Sequence, residues 1–222
     1  MNPALALVRA DVEAVLNGRF QRLDSLRGQH IFISGGTGFL GTWLLEFVKV
    51  LNECHGFAMR VTVYSRQAKS FASRLPHLGQ IEGVHFEDGD IRYFSEFARD
   101  VRYIIHAAAL TDRRLLASQP SAVAEVNSVG AHRLLRAANL LEDVQKFVLL
   151  SSGLVYGNQP WDLPRVDENF AGAMRCNDVN AVYAESKRFA EVIAHSAISE
   201  TKLPIVILRP FAFLGPYQSL QL

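Results

Sequence analysis

Cysteine is scarce in this chain of 222 residues: Cys54 and Cys176 are the only two, and they stand far apart. So few exclude a disulfide-built scaffold and fit reduced thiols in a cytoplasmic protein. Neither sign of charge is in excess, with 23 Lys and Arg against 22 Asp and Glu. That balance excludes the global basic field that holds nucleic acid or an anionic membrane. No uncharged apolar run reaches the ~20 residues of a membrane-spanning helix. The first thirteen residues reach Arg9 and Asp11 after a short apolar stretch and lack a basic leader, so no secretory signal is expected there. The seven histidines show no metal-ligand spacing. His55, His77, His85 and His195 are expected on the surface or at helix ends, and no metal site is expected. No internal repeat and no linker breaks the pattern. What remains is ordinary globular composition, 49% hydrophobic and 20% charged, in a chain long enough for a sizeable core. The length fits one large domain, or one domain plus a fragment.

Short apolar runs rich in Val and Ile alternate with longer stretches of helical periodicity. The runs at 31–34, 60–64, 84–87, 101–106, 146–151 and 204–208 predict strands, most of them buried on both faces. The stretches 42–51, 68–75, 94–99, 122–140 and 181–199 predict helices. Such alternation implies an α/β fold, a doubly wound parallel sheet with helices on both faces and right-handed connections. Leu5, Val8, Val12, Val15 and Leu16 fall at helical spacing, so a further amphipathic helix is expected at 4–17, packing on the domain that follows. The boundaries expected are a helical extension over 1–27 and a dinucleotide-binding domain over 28–222. The stretch 157–180 carries Pro160, Pro164 and Gly172 and reads as a long functional loop.

The strongest local signal lies between the first strand and the first long helix: Gly35, Gly36, Thr37, Gly38, Phe39, Leu40, Gly41. Gly35 permits a tight turn, Gly36 and Gly38 admit a pyrophosphate to the backbone, and Gly41 lets the helix close on the sheet. The helix start adds unpaired N–H groups and the positive end of its dipole. Together these point to dinucleotide binding. After the second strand the chain reads Tyr64-Ser65-Arg66-Gln67, without the carboxylate that usually holds the ribose hydroxyls of NAD. Ser65 and Arg66 suit a 2′-phosphate instead, so NADP is favoured over NAD. Asp90 and Ile91, after the third strand, are expected at the adenine edge. Ala107, Ala108 and Ala109, after the fourth, leave room for the cofactor.

Tyr183 and Lys187 stand four apart, on one face of a helix. A phenol is a poor base near neutrality, with a free pKa of about 10. A lysine ammonium and a nicotinium charge beside it favour the phenolate and make proton abstraction from a hydroxyl feasible. Ser152 ends the fifth strand, at the edge where such sheets bind ligands, and its hydroxyl can hold a substrate oxygen. Alone, this Tyr/Lys spacing is common on solvated surface helices; the glycine turn and the strand-end serine decide for chemistry.

These motifs together resemble the extended short-chain dehydrogenases, the NAD-dependent epimerase/dehydratase family of nucleotide-sugar enzymes. The resemblance spans residues 29 to about 218. It rests on the glycine turn, His106-Ala-Ala-Ala109, Asn127 with Gly130, Ser151-Ser-Gly-Leu-Val-Tyr-Gly157, Tyr183-x-x-x-Lys187 and Leu208-Arg-Pro-Phe-Ala-Phe-Leu-Gly-Pro216. It implies a Rossmann-like fold with Ser152, Tyr183 and Lys187 as the catalytic set. Tyr183 is then the acid/base, and Lys187 binds the nicotinamide ribose and lowers the Tyr pKa. Asn127 joins the cofactor-binding set, and Pro210 lies near the nicotinamide. It also implies a homodimer through helices 122–140 and 181–199, and a small C-terminal substrate domain that the chain as given largely lacks.

Two positions depart from the family pattern. Gly153 and Leu154 stand where the 4,6-dehydratases carry Asp-Glu, so dehydration is disfavoured. Ala212 stands where many epimerases carry an Asn that holds the diphosphate. The expected function is NAD(P)-dependent epimerisation of a sugar nucleotide. An NADPH-dependent keto-sugar reductase is the alternative within the family, and a non-catalytic dinucleotide-binding module the alternative outside it.

Overall fold

The computed structural model describes residues 3–172 and 174–218. In chain order its elements are α1 (Pro3–Leu16), α2 (Phe20–Leu23), β1 (His30–Ser34), α3 (Phe39–His55), β2 (Arg60–Ser65), α4 (Ala68–Arg74), α5 (Pro76–Gly79), β3 (Val84–Asp88), β4 (Val101–His106), α6 (Arg113–Ser118), α7 (Pro120–Ala138), β5 (Lys146–Leu150), α8 (Ala181–Thr201) and β6 (Ile205–Leu208). The six strands form one sheet in the order β3-β2-β1-β4-β5-β6, and every neighbouring pair is parallel. This is the Rossmann-like, doubly wound architecture that the strand–helix alternation implies.

Side chains alternate across the pleat, so the central strands β1 and β4 serve two cores. Phe32 points with Ile104, Phe147 and Leu149 toward α7 and α8, where Leu134, Ala190 and Ala194 close the layer. Ile31 and Ile33 point the other way with Val61 and Val63, against Leu45 and Val48 of α3 and Phe71 of α4. All five residues of β1 are buried, as a central strand covered on both faces requires. The edge strands differ: β3 leaves His85 and Glu87 exposed, and β6 leaves Val206 and Leu208 exposed.

The amphipathic N-terminal helix packs through Val8, Val12 and Leu16, with Val12 and Leu16 inside the α3 core layer and Val15 exposed. Truncating Leu16 to alanine removes a nearly fully buried side chain from that layer. Chemical denaturation is expected to show a loss of roughly 2–5 kcal/mol. A loss within the error of the wild-type curve would mean that α1 is not part of the cooperative unit.

Three expectations need correction. The first long helix starts at Phe39 rather than at 42, because Gly38 caps it: Thr42 returns both its backbone N–H and its hydroxyl to the Gly38 carbonyl, at 2.8 and 2.9 Å. Residues 94–99 form no helix. Their apolar spacing serves a different purpose, inserting Phe94 and Phe97 beside Phe32 in an aromatic cluster with ring centroids 4.7–5.1 Å apart. The only helical turn there is the short 3-10 segment Ile91–Tyr93, capped by the Asp90 side chain. Ser152 does not end a strand, since β5 stops at Leu150. Ser152 caps the next 3-10 turn, Gly153–Tyr156, by accepting from the Leu154 N–H. α6 went unanticipated, although Asp112 caps it from just before Arg113. No helix among the described residues is long and apolar enough to cross a membrane.

Candidate active site

The strand order reverses between β1 and β4, and open α/β sheets bind ligands at such a point, outside the carboxyl ends of the strands. Two adjoining clefts occupy it here. The first, of about 430 Å³, is bounded by Gly35, Thr37, Gly38, Ser65, Arg66, Asp90, Ile91 and Ala107–Ala109. The second, of about 520 Å³, is bounded by Gly35, Gly38, Phe39, Leu40, Gly41, Ala107, Ala109, Ser152, Tyr183, Lys187 and Pro210. Gly35, Gly38, Ala107 and Ala109 border both, so the glycine turn is the shared floor.

Close approach explains that floor. Gly35 sits at φ +70°, and a Cβ there would lie 2.5 Å from the backbone of Ala108. A Cβ on Gly41 would lie 2.3 Å from the Gly36 Cα, so the helix touches the turn backbone to backbone. Thr37 ties the turn to β2 by donating its hydroxyl to the Ser65 hydroxyl at 2.9 Å. These contacts leave Gly36 beneath the turn, against Val63, and outside both clefts. Asn127 also lies outside them. It is buried in α7, where its amide donates to the Ser186 hydroxyl at 3.0 Å, and Ser186 in turn donates to the Tyr183 carbonyl at 2.9 Å.

Lys187 is 2% exposed, and its ammonium donates to the Leu150 carbonyl at 2.8 Å. Burial pulls its pKa down to about 8, and the nearby Glu191 carboxylate opposes the fall. Burial pushes the Tyr183 phenol above its ordinary value, and the Ser152 hydroxyl works against that rise. His106, at the end of β4, shares a 2.7 Å hydrogen bond with the Ser34 hydroxyl. Burial, aided by the Lys187 charge, takes its pKa down to about 3, so it is neutral. No group of three or more His, Cys, Asp or Glu among the described residues is placed to hold a metal.

Sequence reasoning missed several neighbours of the site. Thr111, Phe211, Phe213, Tyr217 and Gln218 border the second cleft. Arg209 forks onto Glu191, donating Nη2 to Oε2 at 2.7 Å and Nε to Oε1 at 3.0 Å. The signals were there: Glu191 follows Lys187 by one helical turn, and Arg209 precedes Pro210.

The six parallel strands and the helices that cover them define a Rossmann-like α/β domain. The chain belongs to the NAD dependent epimerase/dehydratase family, whose model matches residues 31–221. It is 28% identical over 209 residues to a UDP-glucose 4-epimerase of Cyamopsis tetragonoloba, covering 88% of this chain and 54% of that protein. It is 29% identical over 147 residues to vestitone reductase of Medicago sativa, covering 63% of this chain and 43% of that protein. Among solved structures, the UDP-N-acetylglucosamine 4-epimerase of Methanobrevibacter ruminantium M1 superposes with a TM-score of 0.69 at 22% identity, over 87% of this chain and 58% of that one. The chain thus spans about half the length of the relatives it matches.

Proposed function

We propose that the chain is the cofactor-binding part of an NAD(P)-dependent enzyme that epimerises a sugar nucleotide. One observation carries the reading: Ser152, Tyr183 and a buried Lys187 open onto the same cleft as the glycine turn. A non-catalytic module has no use for that set. A dinucleotide fits these residues, because a Cβ on Gly35 or Gly41 would strike backbone and small alanines line the cleft beside the turn. When bound, the nicotinamide supplies a hydride acceptor and donor. Gly35, Gly38 and the start of α3 hold the pyrophosphate. The Ser152 hydroxyl orients the reacting oxygen of the sugar, and Tyr183 Oη takes and returns its proton. The Lys187 ammonium, fixed on Leu150, favours the phenolate by its charge. Gly153 and Leu154 offer no acid or base beside Ser152, which disfavours dehydration. The test is to denature the purified protein, then identify and count the nucleotide released. Close to one per chain supports an epimerase that retains its cofactor; a chain that neither carries nor binds NAD or NADPH sinks the reading.

The alternative, an NADPH-dependent keto-sugar reductase, draws on the absence of a carboxylate after β2. Ser65, Arg66 and the Thr37 hydroxyl stand together there and suit a 2′-phosphate. Arg66→Ala is expected to weaken NADPH binding roughly 10–100-fold, the worth of a charge-assisted hydrogen bond. NADH binding should stay within about threefold. Equal losses for both nucleotides in calorimetric titration would remove the case for NADP. A homodimer through α7 and α8 is part of the proposal, supported by Val129, Phe189 and Val192, which those helices leave exposed.

A further inference from the structure

We propose that the Phe211 ring is the platform on which the sugar ring of the substrate packs, and that it holds this place because residue 153 has no side chain. Phe211 is thereby a specificity-determining residue. The inference rests on the reading of the second cleft as the seat of a sugar nucleotide.

The pairing of β5 with β6 brings the two residues together. Leu150 stands opposite Leu208. The ladder runs on past both strand ends: Ser151 donates its N–H to the Leu208 carbonyl and Gly153 to the Pro210 carbonyl, each at 2.8 Å. Phe211 therefore arrives beside Gly153. A Cβ on Gly153 would lie 2.8 Å from Cδ1 and Cε1 of the Phe211 ring and 3.0 Å from Cζ. Carbon atoms touch at roughly 3.5–4.0 Å, so the ring occupies the space of the missing side chain. The ring also stacks with Tyr156, with centroids 6.2 Å apart and planes inclined by 14°. Tyr156 is buried, and the Arg209 guanidinium lies 4.9 Å from its ring centroid. Phe211 thus belongs to a stack that the Arg209–Glu191 fork anchors on α8.

Although so held, Phe211 stays 69% exposed, and it borders the second cleft with Ser152, Tyr183 and Lys187. A fixed apolar ring beside a polar set of this kind suits a ligand that is polar at its edges and apolar on one face. A pyranose is such a ligand. Its C–H bonds gather on one face of the ring, and the negative face of an aromatic attracts them. A side chain already in place contributes to binding without the ordering cost of a free one. A side chain at 153 and the ring at its present place exclude each other. The lack of an acid after Ser152 and the presence of the platform are therefore one feature: the position that carries Asp in the dehydratases here makes room for Phe211.

The test compares UDP-glucose with UDP by calorimetric titration, with NADH present in excess. The ratio of the two affinities isolates what the sugar adds. In the wild type UDP-glucose is expected to bind more tightly than UDP. Phe211→Ala is expected to lower the ratio roughly 3–10-fold and to leave UDP affinity within about twofold. Phe211→Tyr should keep the wild-type ratio. Phe211→Leu should lower it as Phe211→Ala does, because bulk without a ring is no platform. Gly153→Ala should lower it too, because the exposed ring is what gives way to the new methyl group. The double variant should be no worse than either single one, since both remove the same contact. Thermal melting of each variant separates a folding loss from a lost contact. A wild type to which the sugar adds nothing, a ratio that survives Phe211→Ala, or losses that add in the double variant overturn the proposal. NADH binding is scored beside these. A wild type that takes NADH while Phe211→Ala keeps the ratio overturns the platform alone; one that takes neither NADH nor NADPH sinks the reading of the cleft.

Discussion

Replacing Tyr183 by phenylalanine is expected to cost turnover of a UDP-hexose roughly 10²–10⁴-fold, the worth of a positioned acid/base. Nucleotide affinity should stay within about twofold. The substitution removes one oxygen and keeps the ring, so the packing of α8 against α7 and the sheet is preserved. The lost oxygen is the one titratable hydroxyl that shares the second cleft with Ser152 and Lys187 close to the glycine turn; Tyr217 also reaches that cleft, but its hydroxyl donates to Glu46 of α3. Because burial holds the phenol above its ordinary pKa, the bare site favours the protonated form. The Ser152 hydroxyl works in the opposite direction. Turnover measured beside calorimetric binding separates the two effects. A variant that retains its turnover would show that the proton leaves by another route.

The second large effect belongs to the turn. Gly35→Ala places a Cβ 2.5 Å from the Ala108 backbone on a residue already at φ +70°. A left-handed backbone costs a side chain roughly 1–2 kcal/mol. The collision adds to this, because the neighbour that must move is backbone at the cleft wall. Nucleotide affinity is expected to fall at least about a hundredfold, or roughly 2.8 kcal/mol at 1.4 per tenfold. Gly56→Ala is the control. Gly56 ends α3 at φ +61° with nothing within 4 Å of its Cβ position, so it carries the strain without the collision. It should lose stability and keep its nucleotide affinity. Equal affinity losses in the two variants would show that strain rather than crowding is at work.

Much of this was legible in sequence, for identifiable reasons. β1, β2 and β4 are runs of β-branched and aromatic residues between polar breaks, and covered strands leave that trace. The glycine turn and the Tyr/Lys spacing are local patterns and read directly. Residues 94–99 misled because burial against a sheet can put aromatics three apart without a helix. The Glu191–Arg209 fork was harder to read: each residue stands beside a motif, but the bond joins residues 18 apart on different elements. Asn127 shows the converse, a residue expected from its motif at the cofactor whose amide instead donates to Ser186 of α8, outside both clefts.

The sheet order also has a kinetic consequence. β1 is made first, yet its two neighbours are β2, in register from Arg60, and β4, in register from Val101. Closing the β1–β4 pair fixes a loop of some seventy residues, and non-local parallel pairing of this kind is slow. The cradle is itself that contact, since Gly35 rests on Ala108. A folding chain therefore holds all its glycines long before it can hold a phosphate. The onset of nucleotide binding during refolding is a clock for the arrival of β4.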